Sequence, residues 1–311
     1  MQFVPVSRLA SACRLIPPGL MPYPRLRPFR PSTIQFVRLA ITVLLPHIAT
    51  TLHAATCVTP PTDMVAWWLA DNSSLDQLGS AHLTRGSSVG YTNGVSGSAF
   101  SFIDNVNSVF VLPPRVAWMP AGNQLTIECW IKPDFTVSGD KLDTILSKRD
   151  GCGVISYQFG VYKGHQSKKG PLYFNFGNIG GDSTSSIPND GQFHHVAVTL
   201  DGSQPNSNIR FYIDGAPAGV INGPGVLPVT SSAPVIGAHG GCGYYSQMAL
   251  DELSFYHRVL SASEIQAIHA AGSAGKCASP ISGATLPLVA DFENGTGPGW
   301  TGGTTLSTTE P

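Results

Sequence analysis

From residue 64 to residue 256 this chain is broken into short apolar or alternating runs, with Gly, Pro, Asn and Asp gathered in the stretches between them. The runs are 64–69, 98–103, 108–112, 125–131, 144–148, 155–162, 172–176, 193–200, 209–213, 235–237 and 248–256. Each is of strand length, and they are rich in β-branched and aromatic residues, which suit a half-buried pleated surface. Residues 125–131 alternate until Lys132 and Pro133, where the missing N–H of proline is expected to end the ladder. Asp214 and Gly215, directly after Ile213, predict a tight hairpin, because both central positions of that turn take positive φ. Many short strands at regular spacing call for an all-β sandwich or barrel.

One helix is expected, over 260–271. Ser261 is its N-cap, with Glu264 three residues on to complete a capping box, and Gly272 follows as the natural terminator. Leu260, Ile265 and Ile268 share one stripe, so this helix packs on a sheet.

The two ends have a different character. Arg25, Arg27, Arg30 and Arg38 precede an apolar run at 39–45, and Ala54, Ala55 and Thr56 follow as small residues. A basic stretch, a short apolar stretch and small residues mark a secretory signal peptide, so residues 1–55 are expected to be a leader. The apolar run is too short to span a bilayer comfortably, and no other segment is a candidate. The mature chain is therefore expected to be extracellular or at the cell surface, without membrane insertion. Pro280, Gly283 and Pro287 read as a linker, and 288–293 starts a new strand-like run. Residues 278–311 are thus expected to be a linker and the start of a truncated or missing domain, leaving one domain over 56–277.

Export permits disulfides. Of the six cysteines, Cys13 falls in the leader, and the spacings of the other five match no zinc pattern. Cys57 and Cys277 bracket the domain as a staple would. Cys152 and Cys242 stand in similar Gly-rich settings, at 150–153 and 240–243, and are candidates to meet. Cys129 lies inside the run 125–131 and is expected to be a buried free thiol. Spacing alone leaves other connectivities open. Charged residues make up only 12% of the chain and the formal net charge is −1, so no basic surface offers itself to nucleic acid.

Taken in order, several segments resemble the LamG-like jellyroll family of the concanavalin A-like superfamily. They are Trp67-Trp68-Leu69, then 97–102, 125–133, 190–199, 211–215, 250–256 and 258–265, spanning Val65 to Gly275. One departure is Phe193, where the family usually carries tryptophan before its His-His pair; a core aromatic role is expected to survive the change. The resemblance implies a two-sheet antiparallel jellyroll whose first and last strands are adjacent, which agrees with a Cys57–Cys277 bridge. It also implies a binding or adhesion module attached to a larger secreted protein.

The same sandwich hosts glycoside hydrolases that present carboxylates at Glu-x-Asp-x-x-Glu spacing, and that motif is absent here. Glu128 stands alone, and the adjacent Asp251 and Glu252 are expected to face opposite sides of a strand. His194 and His195 are likewise expected on opposite faces, one core-facing and one partly exposed. No Gly-x-Ser-x-Gly elbow or phosphate loop occurs, so no enzyme is expected. The resemblance implies calcium where first and last strands meet, with Asp71 and Asp251 at the matching positions and carbonyl oxygens completing the set. Asp150, Tyr157, His239, Tyr244 and Tyr245 cluster around the Cys152–Cys242 pair in sequence. Exposed aromatics beside polar groups hold sugar rings, so the expected partner is a polysaccharide or glycoprotein. The competing reading places Tyr157 and Tyr245 in the core and makes the chain a structural or adhesion module.

Overall fold

The computed structural model describes residues 56–278, apart from 115–117, 119–122, 137–141, 178, 207 and 224. The expected leader and the expected element at 288–293 lie outside the described residues. In chain order the strands are β1 (Met64–Trp68), β2 (Thr84–Arg85), β3 (Gly90–Asn93), β4 (Ser98–Ser101) and β5 (Phe110–Val111). They continue with β6 (Gln124–Pro133), β7 (Leu142–Asp150), β8 (Val154–Lys163), β9 (Lys169–Phe176) and β10 (Ile179–Ser186). The last are β11 (His194–Asp201), β12 (Ile209–Ile213), β13 (Ala216–Ile221), β14 (Val235–Ile236) and β15 (Met248–Tyr256), followed by helix α1 (Ala262–Ala271).

Two antiparallel sheets result. The first runs β13-β12-β11-β6-β15-β4-β3 with β1 also paired to β15, and the second runs β10-β9-β8-β7-β14-β5-β2. The punctuated runs call for a sandwich or barrel, and this is the two-sheet jellyroll that the resemblance implies, with one α-helix among the described residues. Four strands escaped the pattern. β10 reads Ile-Gly-Gly-Asp-Ser-Thr-Ser-Ser and β13 reads Ala-Pro-Ala-Gly-Val-Ile, and each lies at the edge of its sheet, where few apolar side chains are needed. β2 and β3, of two and four residues, are weakly apolar as well. Pro133 does not end β6 early: Met248 pairs with it, while β11 starts only opposite Ile131, so proline sits where one side is open.

Between the sheets lies a dry core of side chains from nearly every strand. Phe100, Phe110, Phe159, Phe174, Phe211 and Phe255 are fully buried there, and each contributes roughly 1.5–3 kcal/mol by leaving water. Trp68 stacks on Trp118 with centroids 6.2 Å apart, and each indole N–H finds a carbonyl, Ala81 O at 2.9 Å and Pro113 O at 2.6 Å. Cys129 is a free thiol in this core.

The outer face of the first sheet carries a second, smaller cluster. Ala197, Tyr212 and Tyr256 meet Leu260, Ile265 and Ile268 of α1 and its approach. The helix begins with the expected capping box: Glu264 N–H donates to Ser261 Oγ at 3.2 Å, and Ser261 N–H donates to Glu264 Oε2 at 2.8 Å. Beyond the helix the chain returns along the sheet. Val58 bridges to Lys276, and Cys57 is bonded to Cys277.

That return inserts a charge into the outer face. Lys276 Nζ is buried 3.1 Å from both Glu128 Oε1 and Glu252 Oε2, and 5.1 Å from the Trp67 ring centroid. Glu128, far from standing alone, also accepts from His195 Nε2 and Tyr256 OH, each at 3.1 Å. Glu252 accepts from Trp67 Nε1 at 2.9 Å. Burial raises the Glu128 carboxyl, but the Lys276 ammonium and the His195 hydrogen bond outweigh it and hold the group down at about 2.

A carboxyl held below its ordinary value of 4.5 adds stability above that value, and the contribution drains away as pH falls toward 2. The wild-type chain is expected to lose on the order of 3 kcal/mol from this group across that window. Glu128→Ala, which strands Lys276 without its partner, should cost about 3–5 kcal/mol at pH 7. Urea denaturation at pH 7 and pH 3 checks both; equal stability of variant and wild type at pH 7 would refute them.

Candidate functional site

The residues between β14 and β15 form a small hairpin bonded along β7. Ala238 pairs with Tyr245, and His239 N–H donates to Tyr244 O at 3.0 Å. Its base is tied to β7, where Thr144 N–H donates to Ser246 Oγ at 2.8 Å and Gln247 N–H donates to Asp143 Oδ1 at 2.9 Å. Lys163 Nζ pairs with Asp143 Oδ2 at 3.2 Å and donates to Gln247 O at 3.0 Å, so the base is locked by a buried ion pair. Its tip is held by a covalent bond, Cys152–Cys242, to the turn between β7 and β8.

Arg149, a residue the sequence reading passed over, stiffens that turn. Its guanidinium donates to Gly151 O at 2.8 Å, Cys152 O at 3.1 Å and Gln158 Oε1 at 2.9 Å. Gln158 Nε2 in turn donates to Thr144 Oγ1 at 2.8 Å and Tyr173 OH at 3.1 Å. The signal was alternation: Gln158 and Tyr173 stand on strands whose neighbouring positions, Tyr157, Phe159, Leu172 and Phe174, all enter the core.

The five expected ligand residues divide. Tyr244 is 58% exposed at the hairpin, beside the His239 ring at 5.0 Å. Tyr245 is half-buried in the hairpin ladder, and His239 itself is buried. Tyr157 corrects the expectation: it lies wholly inside the core, donates to Trp118 O at 3.0 Å, and offers no face to a ligand. β8 alternates, and Tyr157 falls on the same side as Phe159 and Val161. Asp150 accepts from Ser232 N–H at 2.8 Å and Ser231 N–H at 3.0 Å, and these serines hold its carboxyl down at about 2. Its place is to fasten the 231–232 loop next to the turn.

Asp71 and Asp251 both reach the turn between β3 and β4. Asp251 Oδ2 accepts from Val95 N–H at 2.7 Å and Ser96 N–H at 3.0 Å, while Asp71 Oδ1 accepts from Ser98 N–H at 2.7 Å. Glycine is required there, since a Cβ on Gly97 would collide with Asp71 Oδ1 and one on Gly94 with Asp251 Oδ2. Asp251 Oδ1 is buried without a hydrogen-bond partner. Burial raises the Asp251 carboxyl to about 7 against the pull of the Ser96 and Val95 N–H groups. The N–H groups of this turn already hold Asp251 Oδ2 and Asp71 Oδ1, which leaves Asp251 Oδ1 as an open carboxylate oxygen, the ligand type a hard cation takes. Among the described residues no group of three or more His, Cys, Asp or Glu side chains could hold a metal, so carbonyls and water would complete any such set.

Asp251 and Glu252 do not face opposite sides of β15. The ladder slips between Asp251 and Ser254, Glu252 takes φ 56°, and both acids fall between the core-facing Leu250 and Leu253. The histidines do take opposite faces, across from Ile131 and Trp130, but the expected exposure is corrected because both are buried. His195 lies under the helix beside Glu128, and His194 is held at 2.8 Å by Asp214 and 3.1 Å by Asp190. Phe193 is half-buried under the Lys132 ammonium, 5.3 Å from its centroid, and is not a core residue.

The family described as the concanavalin A-like lectin/glucanases superfamily matches residues 104–266. No curated protein matches the chain in sequence. Among solved structures, the fold is similar to domain 4 of AbnA, an extracellular GH43 arabinanase from Geobacillus stearothermophilus, solved with arabinotriose. Identity there is 20%, over 66% of this chain and 97% of that domain, with a TM-score of 0.50. It is also similar to the binding domain of botulinum neurotoxin DC in complex with rat synaptotagmin II, at 14% identity over 67% of this chain and TM-score 0.51. A structure of botulinum neurotoxin type C, whose cell entry depends on two ganglioside molecules, matches at 13% identity over 67% of this chain and TM-score 0.51. The chain spans about half of each neurotoxin structure, 51% and 50%.

If the disulfide is what holds the hairpin tip, Cys152→Ser with Cys242→Ser should release residues 239–245 first. Amide exchange there is expected to rise about tenfold or more while β11 stays protected; equal protection of the hairpin with and without the bond would contradict this.

Proposed function

Because the chain belongs to the concanavalin A-like lectin/glucanases superfamily, we propose that it is a non-catalytic extracellular module that binds carbohydrate or glycoconjugate. The observation that carries this reading is Tyr244, an exposed aromatic on a hairpin fixed at its base by an ion pair and at its tip by a disulfide. A sugar ring stacks on an aromatic face at little entropic cost when that face is already held in place. His239 supports the Tyr244 ring, and Asp150 and Arg149 brace the loops on either side. The arabinanase domain solved with arabinotriose supports a glycan as the ligand class. Against catalysis stand the placements of the acids. Glu128 and Glu252 are buried on a lysine and Asp150 is spent on a loop, so none of these three is placed to serve as a catalytic carboxylate.

Calcium belongs to the same reading. Asp251 Oδ1 and Asp71 would hold it at the β3–β4 turn, and its charge would relieve the buried carboxylate. Bound there, the ion would stiffen the turn between β3 and β4 against β15. A second reading is an adhesion module that docks on a protein, and the synaptotagmin complex of the neurotoxin binding domain favours keeping it. Cell-surface placement suits either.

A glycan array with the purified chain tests the ligand class. Tyr244→Ala should weaken binding about tenfold while leaving the melting temperature unchanged; binding that survives this substitution would remove the hairpin from the reading. Calcium should raise the melting temperature of the chelator-treated wild type and leave Asp251→Asn unmoved. A melting temperature indifferent to chelator would discard the metal.

A further inference from the structure

Helix α1 and the returning segment cover only part of the first sheet's outer face. On β6 that face presents Thr126, Glu128, Trp130 and Lys132 at alternate positions, with Asp134 just past its end; the first three are buried and the last two half-buried. Trp130 lies 5.5 Å from the His269 ring of the helix, and Lys132, next on the same face, is only half-buried. There a cleft of about 420 Å³ opens, inside the range of small-molecule sites. Its floor follows one register line across three strands, Lys132 to Ala249 to Ser101. The two small side chains keep the floor low, and the walls carry Asp134, Asn189, Gln247 and the half-exposed Ile103.

The polar groups of this cleft are of mixed kind. Lys132 has no ion pair among the described residues and rests only on the Phe193 ring. Asp134 is an acceptor fixed in place, taking hydrogen bonds from Thr136 N–H at 2.9 Å and Gln247 Nε2 at 2.7 Å. Asn189 offers both a donor and an acceptor. One cation, one anion and amides within a single cleft suit hydroxyl groups, each of which gives and takes a hydrogen bond. An anionic ligand would meet Asp134. We infer that this cleft is a second saccharide subsite, taking a neutral oligosaccharide across the line from Lys132 to Ser101. The inference rests on the glycan-binding reading but not on Tyr244, which is not among the residues lining the cleft, although Gln247 at the hairpin's base forms part of its wall.

The full chain is titrated calorimetrically with arabinotriose, xylotriose, maltotriose and cellotriose, and with sialyllactose as the acidic comparison. Ser101→Trp fills the floor, Lys132→Ala removes the donor, and Tyr244→Ala reports the hairpin separately. For at least one neutral trisaccharide, Ser101→Trp and Lys132→Ala are each expected to weaken a class of sites about tenfold while Tyr244→Ala spares it. Should Ser101→Trp lose its cooperative melt, Lys132→Ala and Asn189→Ala carry the test. Wild-type affinity in the cleft variants with loss in Tyr244→Ala overturns the second subsite and leaves the hairpin standing. Preference for sialyllactose, lost in Lys132→Ala, overturns the neutral class. Failure of every sugar to bind the wild type overturns both readings.

Discussion

The fold depends on a dry interior closed between two sheets, which leaves polar side chains only the outer faces and the loops. Alternation enforces this strand by strand, and the outer faces become places where polar groups must settle their own accounts. On the first sheet Glu128, His195, Glu252 and Tyr256 do so around one lysine delivered from the far end of the domain. On the second, Thr144, Gln158, Tyr173 and Arg149 form a network under the hairpin. A charge buried in this way is costly unless every partner is present, so the returning segment and the sheet specify one another.

Most of the architecture could be read from residue order alone. The runs, the Asp214–Gly215 turn, the Ser261–Glu264 capping box and the likeness between the settings of Cys152 and Cys242 all rest on local chemistry. Local chemistry is what a single sequence displays. What escaped reading depends on residues far apart in the chain. Glu128 has the neighbours of an isolated acid, and only pairing β6 with β11 and β15 brings it His195 and Tyr256. The slip at Asp251 and Glu252 leaves no mark in the residues themselves, because it is a decision of the ladder and not of propensity. Edge strands such as β10 were invisible because they bury so little.

The same distinction explains the site. Tyr157 and Tyr244 are both tyrosines near a Gly-rich cysteine turn, and residue order leaves Tyr157 open between core and ligand face. Register separates them: Tyr157 occupies an inward position of a central strand, while Tyr244 stands on a loop that belongs to neither sheet. Asp71 and Asp251, nearly the length of the domain apart in sequence, meet at one glycine-rich turn because β15 runs beside β4 and β1.

The bond between Cys57 and Cys277 has a mechanical consequence. Tension applied to the chain on either side of these two residues passes from one sulfur to the other and never enters the strands between them. The sandwich hangs from a closed ring, so pulling on the chain outside that ring cannot peel it open. An oxidised ring keeps the strands out of the line of tension; a reduced one puts β1 and β15 directly in it.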